Sequence, residues 1–309
     1  MRILILGAGG VGGYFGGRLA AAGVDVQFLV RPARAQALAR EGLVITSPLG
    51  DLHTPVRTLT QATAPFDAVL LTCKAYDLDG AIQAIAPAVG PATLVLPVLN
   101  GLRHLDILDA RFGQQHVLGG LCHIGVTMNA AGHIEHLNAS QRLALGARTP
   151  AQADAAAALH QVLERGGSGP VLTDAVMQEM WEKFAFLTAY AGMTTLMRAP
   201  IGAMLAAPEG EAIAGEMLAE CAATAAVNGH APRPAALAQM LSSLTERGST
   251  GTSSMLRDVM RNGPTEHEHI LGDMLARARA AQVPAPLLRV SLAHMQTYEA
   301  VRTKASQPS

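Results

Sequence analysis

One lysine in the second half of the chain stands among aromatic residues, a setting in which an amine can do acid–base chemistry. Lys183 is flanked by Trp181, Phe184 and Phe186, and Leu187 follows one helical turn later. Burial among apolar groups disfavours the charged ammonium, which lowers the pKa of a lysine and makes it a better proton donor. A lysine on a helix flank can instead extend its amine into solvent, and this stretch alone leaves both interpretations open.

Two further polar residues, Ser254 and Glu266, stand near the starts of two predicted helices. The partial positive charge at a helix N-terminus favours an anion at either position. The run Glu266-His267-Glu268-His269 also suggests a metal site. Residues two apart on a helix point in different directions, however, so these side chains do not converge on one ion. We expect a solvated helix face there and predict no metal.

The chain begins with a short apolar run and a cluster of glycines. Ile3–Leu6 precedes the spacing Gly7-x-Gly9-x-x-Gly12, and a helical pattern then continues to Gly23. This order of strand, glycine turn and helix is the context that a dinucleotide-binding fingerprint requires. An export signal is the weaker interpretation, because glycine is a poor residue for the helical core of such a signal.

Each glycine of the fingerprint has a physical role. Gly7 permits a tight turn, Gly9 lets the backbone approach a pyrophosphate, and Gly12 lets the helix pack closely on the sheet. The free N–H groups and the partial positive charge of the helix N-terminus then face the phosphates. The predicted cofactor-binding residues of this loop are Gly7, Gly9, Gly10, Val11 and Gly12.

The end of the second predicted strand indicates which dinucleotide binds. The strand ends at Val30, and Arg31-Pro32-Ala33-Arg34 follows without an acidic residue. A carboxylate would repel the 2′-phosphate of NADP, whereas a guanidinium binds it through charge-assisted hydrogen bonds. We therefore predict NADP as the cofactor, with Arg31 as a ligand. The alternative is that both arginines are solvated residues at a helix start.

Lys74 and Asn100 follow the ends of two later predicted strands. Ligands of open α/β sheets bind at that edge, so we expect Lys74 beside the cofactor and Asn100 in contact with nicotinamide or substrate. The alternatives are a solvated lysine and a simple turn at Asn100-Gly101. Whether His123 also contacts the cofactor stays open.

Strand and helix patterns alternate through the first half of the chain, whereas every pattern after Asp174 is helical. Near-continuous apolar strands separated by helices indicate a parallel sheet covered on both faces. The strands over residues 117–145 are expected to extend or cap that sheet, and one helix is expected over 265–280. We predict an α/β, Rossmann-type dinucleotide-binding domain over residues 1–173 and an all-α domain over 174–309.

The composition excludes several classes of function. The chain has 309 residues, half of them apolar, which is material for about two domain-sized cores. A net charge of −1 leaves no basic surplus for a nucleic-acid partner. No apolar segment approaches the roughly 20 residues that cross a membrane. The three cysteines form no C-x-x-C pair, which is typical of a reducing compartment. We predict a cytoplasmic protein with a small-molecule substrate, and a homodimer stays open.

Together these residues resemble the ketopantoate reductase (2-dehydropantoate 2-reductase) family from one end of the chain to the other. The matching segments are Gly7-x-Gly9-x-x-Gly12, Arg31, Cys73-Lys74-Ala75, Asn100-Gly101, Trp181-x-Lys183, Ser253-Ser254-Met255-Leu256-x-Asp258 and Thr265-Glu266. The resemblance implies NADPH-dependent reduction of a 2-keto acid to a 2-hydroxy acid in a cleft between two domains, as in pantothenate biosynthesis.

The resemblance also implies roles for the site residues. Lys183 would be the general acid and Glu266 the partner of a substrate hydroxyl. Ser254 would bind the substrate carboxylate, and Asn100 would lie near the reacting carbon. Hydride arriving at the keto carbon leaves negative charge on its oxygen, which a protonated Lys183 both stabilises and protonates.

Two positions depart from the family pattern. The family has asparagines one and two turns after the catalytic lysine, where they hold the substrate, and this chain has Leu187 and Ala191. Apolar groups there leave polar oxygens of pantoate without partners, at about 1–3 kcal/mol for each buried group. We expect Leu187 and Ala191 to contact a changed substrate. A reductase of a more apolar keto acid or of an imine, and a catalytically silent NADP-binding sensor, are the alternatives.

Overall fold

A computed structural model of the protein describes residues 1–305. The chain divides into two compact units. The first comprises Met1–Leu99 and His104–Val176, and the second comprises Asn100–Arg103 and the chain from Met177 onward. The four residues Asn100–Arg103 therefore belong to the second unit, although the chain on both sides of them belongs to the first.

The first unit alternates strands and helices. In chain order its elements are β1 (Ile3–Leu6), α1 (Gly10–Ala21), β2 (Val26–Leu29), α2 (Pro32–Glu41), β3 (Leu43–Thr46), β4 (Leu52–Thr54), β5 (Arg57–Leu59), β6 (Ala68–Leu71), α3 (Leu78–Ile85), β7 (Leu94–Pro97), α4 (Arg103–Phe112), β8 (Gly119–Met128), β9 (Ile134–Gly146), α5 (Ala153–Glu164) and β10 (Val171–Leu172).

Five of these strands form a parallel sheet in the order β5-β2-β1-β6-β7. Strands β6 and β7 are buried at every position, as expected where both faces of a parallel sheet are covered. The chain leaves β1 toward β2 on one side and reaches β6 on the other, so the strand order reverses at β1. The carboxyl end of a strand at such a reversal is where open α/β sheets bind ligands. The predicted α/β fold is confirmed.

The expectation that residues 117–145 extend or cap this sheet is wrong, because they belong to a second sheet. Strands β8 and β9 form a long antiparallel pair, and β9 also pairs with β3 and β10. The second sheet has the order β10-β9-β3-β4, with β8 on β9. The ten residues of β8 pair with the thirteen of β9 along most of β8, so these backbone hydrogen bonds join the two strands to each other and not to the parallel sheet. An isolated parallel bridge joins Val95 of β7 to Val117, which lies two residues before β8.

Helix α1 packs against both sheets through adjacent glycines. A methyl group on Gly16 would lie 2.7 Å from the ring of Phe28 in β2. A methyl group on Gly17 would lie 2.5 Å from Leu43 Cδ2 in β3. Since those distances are shorter than any ordinary contact, the helix approaches each sheet more closely than a side chain at these positions would allow.

The second unit is helical, as predicted. Its elements are α6 (Val176–Met197), α7 (Ile201–Met204), α8 (Gly210–Val227), α9 (Pro234–Leu244), α10 (Ser254–Met260), a π-helical turn (Glu268–Gly272), α11 (Asp273–Ala280) and α12 (Pro286–Ala305). The single helix expected over residues 265–280 is replaced by the π-helical turn followed by α11. Within residues 1–305, no helix combines the length and the apolar character needed to cross a membrane.

Candidate active site

The loop between β1 and α1 is open on one side and tightly packed on the other. Gly7 has a φ of +89°, in the left-handed region that favours glycine. A methyl group on Gly12 would lie 2.4 Å from Thr72 Oγ1, and the Thr72 hydroxyl donates to the Leu6 carbonyl at 2.8 Å. A methyl group on Gly9 would meet nothing within 4 Å. The open side at Gly9 and the N–H groups at the start of α1 fit a pyrophosphate.

Gly10 and Val11 form the first turn of α1. A methyl group on Gly10 would lie 3.1 Å from Val126 Cγ2 in β8. The second sheet therefore borders the glycine loop, a contact that the sequence did not predict.

The two arginines after β2 have different surroundings. Arg34 is half-buried, and its guanidinium donates to the Ala8 carbonyl at 3.1 Å. Burial lowers the pKa of Arg34, opposed in part by the charge of Glu41. The Arg31 side chain is 88% exposed, with Nη2 3.9 Å from Asp77 Oδ1. Arg34 therefore supports the glycine loop from below and is not a solvated helix-start residue, whereas Arg31 presents its charge to solvent.

The predicted cofactor residues of the first unit follow three neighbouring strands. Arg31 comes after β2, the glycine loop after β1 and Lys74 after β6, and these strands are adjacent in the sheet. Because the strands are parallel, all three segments lie at one edge. Lys74 is half-buried and immediately precedes the 3-10 turn Ala75–Asp77.

In the second unit, α6 carries Lys183, Leu187 and Ala191 at intervals of one turn. Residues spaced in this way share one face of a helix. Lys183 and Leu187 are half-buried, and Ala191 is buried. Tyr190 and Thr194 fall on the same face. The structure thus aligns the predicted proton donor with two apolar residues.

The aromatic residues around Lys183 fix the helix. The rings of Trp181 and His230 stack with centroids 5.5 Å apart and planes 19° apart, and the Arg277 guanidinium carbon lies 5.4 Å from the Trp181 ring centroid. Trp181 and Phe184 are buried, whereas Lys183 is half-buried. The aromatic residues beside Lys183 in the sequence therefore pack α6 against its neighbours and hold the helix in place.

Glu182, next to Lys183 in the chain, anchors α6 to the start of α9. Its carboxylate is buried and accepts hydrogen bonds from the Arg233 backbone N at 2.9 Å, from Arg233 Nε at 2.8 Å and from Gln178 Nε2 at 3.1 Å. Burial raises the pKa of Glu182, but the hydrogen bonds from Arg233 and Gln178 and the Arg233 charge outweigh it, so the pKa is lowered.

Thr194 connects the same helix to the start of α10. Thr194 Oγ1 donates to Ser253 Oγ at 2.7 Å, and Ser253 Oγ accepts from the Leu256 backbone N at 3.0 Å. This second bond makes Ser253 the N-cap of α10. Ser254 is the first residue of the helix and is half-buried. The position of Ser254 is therefore set by the helix that carries Lys183.

The predicted solvated face at Glu266-His267-Glu268-His269 is wrong. Glu266, His267 and His269 are less than a tenth exposed, and Glu268 is the exposed member of the four. The prediction assumed a regular α-helix, but the chain forms the wider turn of a π-helix at Glu268–Gly272. Among residues 1–305, no group of three or more His, Cys, Asp or Glu side chains is placed to hold a metal ion.

The segment Asn100–Arg103 packs on this π-helical turn. Gly101 has a φ of +81°, and a methyl group on it would lie 3.1 Å from both Cδ2 and the carbonyl oxygen of His269. The Asn100 backbone forms a hydrogen bond with the His269 ring. Within the helical unit, His269 therefore contacts the Asn100-Gly101 turn and follows Glu266 by three residues. The sequence suggested His269 only as part of the excluded metal site.

The whole chain matches one family. The model for ketopantoate reductase PanE/ApbA matches residues 3–150, and the model for the PanE/ApbA C-terminal domain matches residues 175–299. The chain belongs to the ketopantoate reductase family. The resemblance seen in the sequence is thereby confirmed, and the chain is an oxidoreductase that binds a nicotinamide dinucleotide and is built for 2-keto acid reduction.

Relatives within the ketopantoate reductase family align over nearly the full length. An uncharacterized oxidoreductase, YkpB from Bacillus subtilis (strain 168), is 35% identical over 97% of this chain and 99% of its own. A 2-dehydropantoate 2-reductase from Mesorhizobium japonicum is 26% identical over 95% of this chain and 96% of its own. The crystal structure of a PanE/ApbA family ketopantoate reductase from Ralstonia eutropha JMP134 superimposes with a TM-score of 0.88 at 26% identity, covering 98% of this chain and 100% of that one.

Gly9, on the open side of the loop, and Gly12, on its packed side, provide a matched test of the geometry of the loop. Gly9→Ala adds a methyl group to open space, so the free energy of unfolding should change by less than about 0.5 kcal/mol. Dinucleotide affinity should fall at least tenfold, because the methyl group occupies the side from which a pyrophosphate approaches. Gly12→Ala should instead destabilise the fold by about 1–3 kcal/mol through overpacking against Thr72. Thermal unfolding and cofactor fluorescence titration measure both. Undiminished binding by Gly9→Ala would contradict the assignment of the loop.

Proposed function

We propose that this protein reduces 2-keto acids with apolar side chains to 2-hydroxy acids, with NADPH as the reductant. The observation that carries this proposal is the face of α6 on which Lys183 is followed by Leu187 and Ala191, one and two turns later. A proton donor beside two apolar groups suits a substrate with a reactive carbonyl at one end and a hydrocarbon tail at the other.

The reaction adds a hydride to the keto carbon and a proton to its oxygen. The nicotinamide supplies the hydride when bound. Lys183 supplies the proton: its ammonium group stabilises the negative charge on the oxygen, and an Nζ–H bond breaks as the new O–H bond forms. Glu266 accepts a hydrogen bond from the hydroxyl group that the reduction forms at the former keto oxygen, and Ser254 donates one to the carboxylate. Asn100 holds the reacting carbon in line, so that orientation contributes to the rate.

NADPH is proposed over NADH because of Arg31. Its guanidinium follows β2, is exposed, and has one carboxylate nearby, that of Asp77 at 3.9 Å. An ion pair so exposed is worth little, so a 2′-phosphate can replace Asp77 as the partner. Arg34 already donates to Ala8 in the glycine loop and is not the proposed phosphate ligand.

The proposed setting is the reducing cytoplasm. Within residues 1–305, no disulfide joins Cys73, Cys122 or Cys221 to another cysteine. Burial raises the pKa of the Cys221 thiol, which keeps it protonated and unreactive. Unpaired cysteines are typical of cytoplasmic proteins, and NADPH is a small-molecule reductant of that compartment.

The first prediction for this function concerns the choice of cofactor. NADPH should bind at least tenfold more tightly than NADH, a difference of about 1.4 kcal/mol. Arg31→Ala should remove most of that preference, because it deletes the proposed partner of the 2′-phosphate. Arg34→Ala is the matched control and should weaken both cofactors alike, since Arg34 supports the loop that binds their common pyrophosphate. Fluorescence titration measures the affinities of the unaltered protein and of both variants for the two cofactors. Equal affinities of the unaltered protein for the two cofactors would remove the assignment.

The second prediction concerns the proton donor. Lys183→Ala should lower kcat about 10²- to 10⁴-fold, the usual worth of general acid catalysis, while NADPH affinity stays within twofold. Lys304→Ala, at an exposed position of α12, is the control and should leave kcat unchanged. Stopped-flow oxidation of bound NADPH by a panel of 2-keto acids gives the rates. A Lys183→Ala variant that keeps more than a tenth of the rate would assign the proton to another group, and NADPH binding without any turnover would favour the silent sensor.

The third prediction concerns the substrate tail. Branched apolar 2-keto acids should have a higher kcat/KM than ketopantoate, whose KM should be raised but not prohibitive, because an apolar site rejects an added hydroxyl by only about 10². The double variant Leu187→Asn, Ala191→Asn should reduce or reverse this difference in kcat/KM. Leu187→Asn alone carries the test if the buried position 191 does not accept an amide. Met197→Asn, exposed at the end of α6, is the control. If the unaltered enzyme prefers ketopantoate, the proposal that its substrate has an apolar tail is wrong.

A further inference from the structure

The contact between the Asn100–Arg103 segment and the π-helical turn does more than bury surface. Gly101 lies against the imidazole edge and the carbonyl oxygen of His269, close enough that a single methyl group on Gly101 would press on both at 3.1 Å. The positive φ of Gly101 turns the chain at this point, immediately after Asn100. The direction in which Asn100 projects is therefore decided where the backbone meets His269.

His269 is well suited to hold that turn because it is buried and hydrogen-bonded. The residue is 6% exposed, and its ring forms a hydrogen bond with the Asn100 backbone. The charged groups around the ring are Glu266, Asp273 and Arg103. Burial lowers the pKa of His269 and outweighs the raising effects of the two carboxylates and of the Asn100 backbone, which favours the neutral ring. A neutral imidazole has one N–H donor and one acceptor nitrogen, which makes it a directional partner.

The same histidine is tied to Glu266 through the backbone. The Ile270 N–H donates to the Glu266 carbonyl at 3.0 Å, so the residue after His269 closes the turn that begins at Glu266. This turn leads into the π-helix, a form that occurs mostly as single turns and often at functional sites. His269 thus stands between two residues that the proposed function assigns to the substrate, Asn100 and Glu266, and contacts the chain of one while sharing a turn with the other.

We propose that His269 is a positioning residue, which fixes the Asn100-Gly101 turn against the π-helical turn that follows Glu266. This inference rests on the proposed function for the roles of Asn100 and Glu266. The ring acts on the backbone of Asn100 and leaves its side-chain amide available to the substrate. Loss of the ring would let the turn relax, and a displacement of about 1 Å at a reacting group costs on the order of 10² in rate.

The test compares His269→Leu, which keeps volume and removes the hydrogen bond, with His269→Gln, which retains a polar N–H. His269→Leu should lower kcat about tenfold to a hundredfold with NADPH affinity within twofold, and should speed hydrogen exchange in the peptide that contains residues 100–103 at least tenfold. His269→Gln should recover part of both losses. The control is His294→Leu, because His294 also has a pKa lowered by burial but its Nε2 has no hydrogen-bond partner within residues 1–305. It should change neither readout.

The two readouts separate this inference from the proposed function. If the unaltered protein reduces no keto acid, the proposed function fails, while faster exchange at 100–103 in His269→Leu still supports the tie between His269 and Asn100. Unchanged exchange and unchanged kcat in His269→Leu would overturn the proposal. If that variant does not fold, Gly101→Ala perturbs the same contact from the other side and should reproduce the loss of kcat. A folded Gly101→Ala with normal kcat would overturn it equally.

Discussion

The close approach of α1 to two sheets is the constraint on which the nucleotide-binding half depends. Gly12 and Gly16 face the first sheet, while Gly13 and Gly17 face the second. A side chain at any of the four would push the helix outward and carry with it the N–H groups of its first turn. The position of the glycine loop therefore depends on the absence of side chains at these four positions. The hydrogen bond from Thr72 to the Leu6 carbonyl fixes the ends of the adjacent strands.

In the helical unit, large and charged side chains position the helix that carries Lys183, whereas glycines position α1 in the first unit. Helix α6 is held by the stack of Trp181 on His230, by the Glu182–Arg233 pair and by the bond from Thr194 to Ser253. These contacts lie on both sides of Lys183 along the helix. The proposed role of Lys183 as a proton donor requires that its helix keep its position. The contacts of the neighbouring residues supply that rigidity.

Local patterns predicted the order of elements and the glycine loop, because glycine spacing and strand length act within a few residues. The features that the sequence did not predict depend on contacts between segments that lie far apart in the chain. Strand β9 pairs with β3, which turns residues 117–145 into a second sheet, and Asn100 meets His269, which buries a run that reads as a solvated helix. Arg31 and Arg34 are alike in sequence context, but in the folded protein Arg34 supports the glycine loop and Arg31 is exposed.

The glycines of α1 also bear on when the site forms. Five of its twelve residues are glycine, each less favourable in a helix than alanine by about 1 kcal/mol, so the isolated segment has little helical tendency. The helix becomes stable only when its flanking strands are in place, and Gly13 meets Ile134 of β9, far along the chain. Helix α1 is thus expected to order only after β9 has formed. A chain that lacks β9 should bind the coenzyme weakly, so that coenzyme binding reports the assembly of the nucleotide-binding unit.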